Sequence, residues 1–230
     1  MYWMLIAALL PAFILGLYIW RKDPHPEPLK WLIYAVLAGV GLCLPVAFAE
    51  QYISGLLFAG NEQNSLIETT LEAVCVAAIP EESAKLLALW LILRRNPYFD
   101  EHFDGIVYAV GVGLGFAAIE NVFYVLGSGD QWVSVAATRA LLAVPGHYAF
   151  AILMGYYYSK YHFFDRSATT AIKILLVPVM AHGVYDAIAM SGQVDPVAGG
   201  LSFFVLIWFC IRLQKYARRK ISEMARGNIQ

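Results

Sequence analysis

Apolar residues run along this chain in long blocks that are separated by short polar connections. A helix needs about 20 mostly apolar residues to cross a bilayer, and seven blocks reach roughly that length. They cover residues 2–20, 31–50, 66–93, 104–127, 131–158, 169–190 and 196–214. The pattern predicts an all-α fold, a polytopic membrane helical bundle of about seven transmembrane helices. The least regular stretch, residues 51–65, is interpreted as an outer loop with a short interfacial helix.

Lysine and arginine alternate between the connections. They occur in the first, third and fifth connections and in the C-terminal tail, while the second, fourth and sixth connections contain none. Because these residues are enriched in cytoplasmic loops, the alternation predicts an outer N-terminus and a cytoplasmic C-terminus. The first block has basic residues after it and none before it, the reverse of a signal peptide. It is therefore interpreted as a retained span.

The composition fits a membrane protein and excludes some other classes. The chain is 60% hydrophobic and 14% charged, whereas soluble domains carry about 25% charged residues. Its net charge of −1 gives no basic surface for nucleic acid. The three cysteines show no disulfide or metal-binding spacing. No internal repeat is evident, so residues 1–230 are interpreted as one integral-membrane domain with its core motifs in residues 66–191.

Several ionisable residues lie inside the predicted spans. A charge at the bilayer centre costs about 2.5–3.5 kcal/mol or more, so these side chains are expected to face a polar interior. They are Glu81, Glu82, Lys85, Glu120, Arg139, His147, His182 and Asp186.

Helix rise places several of these groups at one depth. Glu81, His147 and His182 each lie 13 residues from the cytoplasmic end of their spans, or about 20 Å. Glu120 and Asp186 lie about one turn further out. The sequence therefore predicts that four helices deliver ionisable groups to one polar cavity.

Proline and glycine mark the same region. Pro80, Pro145 and Pro178 stand close to Glu81, His147 and His182 in sequence, and each removes a helical hydrogen bond, which membrane helices tolerate where protein or water satisfies the freed carbonyl. In the fourth span, the GxxxG pair Gly111 and Gly115 predicts close packing against another helix.

The charged residues suggest hydrolytic chemistry. Lys85 lies within reach of Glu81 and of Glu82, and a lysine there favours an ionised carboxylate that can act as a general base. His182 and Asp186 are four residues apart on one helical face, so the acid can orient the imidazole. A carboxylate base with histidine electrophiles suggests direct attack of water on a carbonyl.

Other interpretations of the same residues stay open. A catalytic zinc ion would need three ligands and an open position, although the chain has no HExxH motif. The ligands in that case would be His147, His182 and Glu81. A buried ion pair with ordinary core histidines, or the proton relay of a transporter, would also use these residue types. Arg139 is interpreted as structural, paired with Glu68 or Glu72.

Four ordered motifs then resemble a known family. They are EESAK at 81–85, FAAIEN at 116–121, RALLAVPGH at 139–147 and HGVYD at 182–186. Together they resemble the PrsW family of intramembrane proteases, which is related to the CAAX-prenyl endopeptidases and abortive-infection membrane proteases.

The resemblance implies roles for individual residues. Glu81 and Glu82 would supply the carboxylate that activates water, with Glu81 favoured by analogy with the CAAX group, and His182 would stabilise the oxyanion. Glu120 stands where the CAAX-type FxxxH motif has histidine, so His147 would fill that role. Lys85, Asn121, Asp186 and Arg139 would support these groups.

The resemblance also implies a substrate and a location. The expected enzyme is an endopeptidase of the bacterial inner membrane that makes the first cut in a membrane-anchored substrate, such as a single-pass anti-sigma factor in envelope stress. No cofactor is expected, with zinc as the alternative. One helical face of the third span carries four polar residues and is interpreted as a water-accessible path (a wet route) from the outer surface. These residues are Glu68, Glu72, Cys75 and Glu82.

Overall fold

A computed structural model describes residues 1–59, 65–194 and 196–226. The described residues form seven helices and no β-strand, which confirms the predicted fold class. Helix α1 is Tyr2–Lys22, α2 is Leu29–Phe58, α3 covers residues 66–93, α4 is Asp104–Gly127, α5 covers residues 132–164, α6 is Ala168–Val194 and α7 is Pro196–Ala225. Which ends face the cytoplasm stays a prediction.

Two of the helices contain π-helical segments, in which each turn holds extra residues. In α3, the α-helical parts Leu66–Leu71 and Ile79–Leu93 flank the π segment Glu72–Ala78. In α5, π segments at Arg139–Ala143 and Lys160–Phe164 interrupt the helix. Six helical segments are long and apolar enough to cross a membrane, and α3 is not among them because it carries five charged residues.

The prolines explain where two of the π segments end. Pro80 and Pro145 each stand at the second residue of the α-helical part that follows. Immediately before them, the N–H of Ile79 bonds to the carbonyl of Val74, and the N–H of Val144 bonds to the carbonyl of Arg139. These bonds span five residues, as in a π-helix, and the proline that follows has no N–H with which to continue that pattern. π segments are frequent at functional sites, and both of these lead directly into candidate catalytic residues.

Helix α4 lies at the centre of the bundle and packs against α1, α2 and α5. Its approach to α2 depends on glycine. A Cβ atom at Gly115 would lie 2.2 Å from the carbonyl oxygen of Val36, and one at Gly39 would lie 2.0 Å from that of Val112. The close packing predicted for the fourth-span glycines is therefore confirmed, and α2 is the partner.

The prediction for residues 51–65 was wrong over its first half. Residues 51–58 continue α2 instead of forming a loop. Residues 60–64 lie outside the described part of the chain. Glu50, which the sequence placed at the end of a span, therefore lies within the body of α2.

Candidate active site

Three helices bring two glutamates, a lysine and two histidines into one buried cluster. Lys85 Nζ donates hydrogen bonds to Glu81 Oε2 at 2.7 Å and to Glu82 Oε1 at 2.8 Å, all within α3. From α5, His147 Nδ1 lies 3.2 Å from Lys85 Nζ. From α6, His182 Nδ1 lies 2.9 Å from Glu82 Oε1. The residues that helix rise assigned to one depth therefore do meet.

The ammonium group of Lys85 organises the cluster. It has three protons and three neighbours within hydrogen-bonding distance, namely Glu81, Glu82 and His147. Since an ammonium group can only donate, His147 Nδ1 must accept, which leaves the proton of a neutral imidazole on Nε2. That nitrogen lies 2.9 Å from Glu120 Oε2. The contacts therefore select one tautomer of His147.

A second layer of polar groups holds the two histidines. His182 Nε2 lies 3.1 Å from Asp186 Oδ2, which confirms the contact predicted from their spacing. Beyond His147, Glu120 Oε2 forms an ion pair with Arg139 Nη2 at 2.9 Å. The prediction that Arg139 pairs with Glu68 or Glu72 was therefore wrong, because the partners of Arg139 lie on α4.

Asn121 fixes that arginine in place. Its Oδ1 accepts from Arg139 Nε at 2.7 Å, and its Nδ2 donates to the carbonyl of Ala8 at 2.7 Å. The fully buried amide thus connects α1, α4 and α5. In this position Asn121 contributes to the orientation of Arg139 and, through Glu120, of His147.

Aromatic rings form the apolar walls of the cluster. The Lys85 ammonium lies 4.4 Å from the centre of the Phe116 ring, a favourable cation–π distance. The Phe150 ring stacks on the His182 ring at 4.7 Å between centroids and 20° between planes. The two imidazoles lie edge to face, with 5.2 Å between centroids. These rings limit the directions in which the polar groups can move.

A cavity of about 930 Å³ adjoins the cluster. Its ionisable wall residues include Glu50, Glu72, Glu81, Glu120, His147 and His182. Glu82 is not among them and is 0% exposed, whereas Glu81 lines the cavity and is 6% exposed. The two adjacent glutamates therefore have different surroundings, a distinction that their sequence does not reveal.

Two details of the cavity differ from the sequence analysis. Of the four residues assigned to a wet route, only Glu72 lines the cavity; Glu68, Cys75 and Glu82 do not. The π segment explains the difference for Cys75 and Glu82, because extra residues in its turns rotate the later positions away from a regular helical stripe. Glu50 was missed, since it stood at the predicted end of a span. The apolar residues that continue from 51 to 58 were the signal that could have found it.

The glutamates and histidines of the cluster are also possible ligands of a metal ion. One atom from each of Glu81, Glu82, His147 and His182 lies within 4.8 Å of the other three. Glu120 and Asp186 contact the far nitrogens of the imidazoles, as carboxylates do behind zinc-bound histidines. The donor types therefore fit zinc. The Lys85 ammonium, however, contacts three of the four groups and would have to withdraw before a dication could bind.

A polytopic helical protein that gathers carboxylates and imidazoles beside a large cavity, within its membrane-spanning region, has the features of an intramembrane hydrolase. Comparison with known proteins gives the family. The model of the PrsW family intramembrane metalloprotease matches residues 27–212, which include every residue of the cluster.

Curated relatives agree with that match. Protease PrsW of Bacillus subtilis (strain 168) is 33% identical over 95% of this chain and 97% of its own length. Protease PrsW of Geobacillus kaustophilus is 31% identical over 95% of this chain and 93% of its own. No solved structure matches the chain. The chain belongs to the PrsW family and is a multi-pass membrane peptidase, which confirms the resemblance seen in its motifs.

Proposed function

We propose that this protein is an endopeptidase that cleaves a membrane-anchored protein with a water molecule activated by Glu81. The observation that supports this most strongly is the difference between the two glutamates. Glu81 lines the cavity, where water and a peptide can reach it. Glu82 is fully buried and contacts both Lys85 and His182. A general base must lie within reach of the proton it removes, and only Glu81 of the pair meets that condition.

The reaction follows from the positions of the groups. Glu81 takes a proton from water as the oxygen attacks the peptide carbonyl. The two ring nitrogens of His182 contact Glu82 and Asp186, and one of its N–H groups exchanges its carboxylate partner for the carbonyl oxygen as negative charge develops there. Glu81 then returns the proton to the leaving nitrogen as the C–N bond breaks. Lys85 holds both carboxylates in place through hydrogen bonds, and Glu82 orients His182 without touching the substrate.

His147 and its partners have a positioning role in this scheme. The Nδ1 atom of His147 lies 4.0 Å from Glu81 Oε2. Glu120 and Arg139 hold its other nitrogen. His147 thereby limits the movement of Glu81 and Lys85 on the side of the cavity next to α5.

The substrate is expected to be a single-pass protein of the bacterial inner membrane. The resemblance to the PrsW family favours an anti-sigma factor that is cut first by this enzyme during envelope stress. A transmembrane segment hides its carbonyls in helical hydrogen bonds, so the cut is expected in an unwound or juxtamembrane segment. A cavity of about 930 Å³ has room for such a segment.

The test uses the purified full-length protein in liposomes with a single-pass reporter protein. We expect Glu81→Gln to abolish cleavage, and Glu82→Gln to slow it while leaving measurable activity. Glu72→Gln is the matched control, because Glu72 lines the same cavity outside the cluster, and it is expected to cleave normally. Normal cleavage by Glu81→Gln would contradict the assignment of the base.

A zinc-dependent peptidase is the second candidate, favoured by the proximity of the four donors. His147, His182 and Glu81 would hold the ion, which when bound would supply a nucleophilic hydroxide. Sensitivity of cleavage to chelation, with recovery on adding zinc, would favour this candidate. A proton-coupled transporter or a scaffold would instead show no cleavage of any reporter, with proton flux in the transporter case.

A further inference from the structure

A second cluster of carboxylates lies at the end of the bundle formed by the first and third connections. Asp23 directly follows α1, Glu27 lies between α1 and α2, and Asp104 begins α4. One oxygen from each lies within 4.8 Å of the other two. The exposed fractions of the three residues are 5%, 6% and 1%. None of them forms a hydrogen bond or an ion pair with the catalytic cluster.

The negative charge of this cluster has little compensation from the protein. Among the described residues, no lysine or arginine forms a salt bridge with any of the three carboxylates. His25 is close in sequence, but its ring contacts Glu101 instead, at 2.9 Å. Burial raises the pKa of Asp23 and that of Glu27 above the usual range. Three buried acids without a cation are costly to keep ionised.

Neutral donors of the protein hold one oxygen of each acid. The backbone N–H of His25 donates to Asp23 Oδ1 at 3.1 Å, and the hydroxyl of Tyr108 donates to Glu27 Oε2. Asp104 Oδ2 accepts from the backbone N–H groups of the two residues at positions 100 and 101, at 3.1 and 2.7 Å. These bonds fix the three acids, and a further side-chain hydrogen bond joins Glu27 to Asp104. Two carboxyl groups form such a bond by sharing one proton, which a bound cation would displace.

One atom is left without any partner. Asp23 Oδ2 is buried and has no hydrogen bond, although buried acceptors are almost always satisfied. The residue itself is 95% buried, since its exposed fraction is 5%. A cation bound by the three acids would give this oxygen of Asp23 the partner that it lacks.

We propose that Asp23, Glu27 and Asp104 bind one divalent cation of the oxygen-preferring class, namely Mg²⁺, Ca²⁺ or Mn²⁺. Three carboxylates without imidazole or thiolate select hard cations, in contrast with the mixed donors of the catalytic cluster. The bound cation joins the end of α1 and the α1–α2 connection to the first turn of α4. It thereby fixes the helix that carries Glu120 and Asn121.

The test uses the purified full-length protein, freed of metal with a chelator and titrated with Mn²⁺ alone. We expect one Mn²⁺ per chain by electron paramagnetic resonance, displacement by Mg²⁺ or Ca²⁺, and a higher unfolding temperature with the ion. Glu27→Gln and Asp104→Asn should each weaken binding at least tenfold. Glu101→Gln is the matched control, a neighbouring acid outside the trio, and should bind as the wild type does.

A variant of the catalytic cluster separates the two sites. Glu81→Gln should retain Mn²⁺ binding if the ion sits at Asp23, Glu27 and Asp104, whereas loss of binding in Glu81→Gln would overturn the proposal. Absence of saturable binding in the wild type, or unchanged binding in Glu27→Gln, would overturn it too. Glu27→Gln decides the matter if Asp104→Asn fails to fold, because Glu27 does not hold the backbone of residues 100 and 101.

Discussion

Replacement of Lys85 with methionine tests the electrostatic basis of the catalytic cluster. Methionine fills a similar volume but has no charge, so the variant loses hydrogen bonds of 2.7 and 2.8 Å to the two glutamates. It also leaves Glu82, which is 0% exposed, without a basic neighbour other than His182. Removal of one partner from a buried ion pair costs about 3–5 kcal/mol, whereas an exposed pair contributes about 0–1 kcal/mol.

The assay compares the free energy of unfolding of the wild type and Lys85→Met in the same detergent, alongside the rate of reporter cleavage. We expect a loss of about 3–5 kcal/mol and loss of cleavage. The double variant Lys85→Met, Glu82→Gln removes one buried carboxylate, so it should recover part of the stability without recovering cleavage. A change below about 1 kcal/mol with normal cleavage would refute the reasoning, because the lysine would then behave as a surface group.

Two further predictions concern packing and orientation. Gly39→Ala should destabilise the protein by about 1–3 kcal/mol, because its Cβ would lie 2.0 Å from the backbone oxygen of Val112; Gly41→Ala is the control, with no atom within 4 Å of its added Cβ. Equal unfolding midpoints of the two variants would contradict this. Asp186→Asn should lower kcat about tenfold or more with little change in KM, because the carboxylate 3.1 Å from His182 Nε2 orients that ring. An unchanged kcat would remove Asp186 from the mechanism.

Local sequence pattern was enough to predict the helices and the depth of the catalytic groups. Long apolar blocks define membrane helices because each must cover the bilayer core, and a fixed rise per residue then places Glu81, His147 and His182 at one level. The contact between His182 and Asp186 followed from their spacing within one helix. These predictions depend only on geometry inside a single helix.

Contacts between helices were the part that the pattern could not supply. Arg139 pairs with Glu120 on α4 instead of an acid on α3, and no periodicity in either helix specifies which faces meet. The predicted stripe ending at Glu82 assumed a regular α-helix, and the π segment Glu72–Ala78 invalidates that assumption. Glu50 was excluded by a helix boundary placed too early.

The second acidic cluster was missed for a similar reason. Asp23 and Glu27 lie in a polar connection, where charged residues are ordinarily solvated. Their burial depends on α4, whose first residue, Asp104, lies close to them only in the folded chain. Acids that are far apart in sequence and share one buried space can be recognised only from the structure.

We propose that a carboxylate, and not a metal ion, activates the water that cleaves the substrate. The most direct measurement determines bound zinc and the cleavage rate on the same purified sample, before and after exhaustive chelation. We expect an unchanged cleavage rate when bound zinc is far below one equivalent per chain. A rate that falls in proportion to the zinc removed, and returns when zinc is added back, would contradict it.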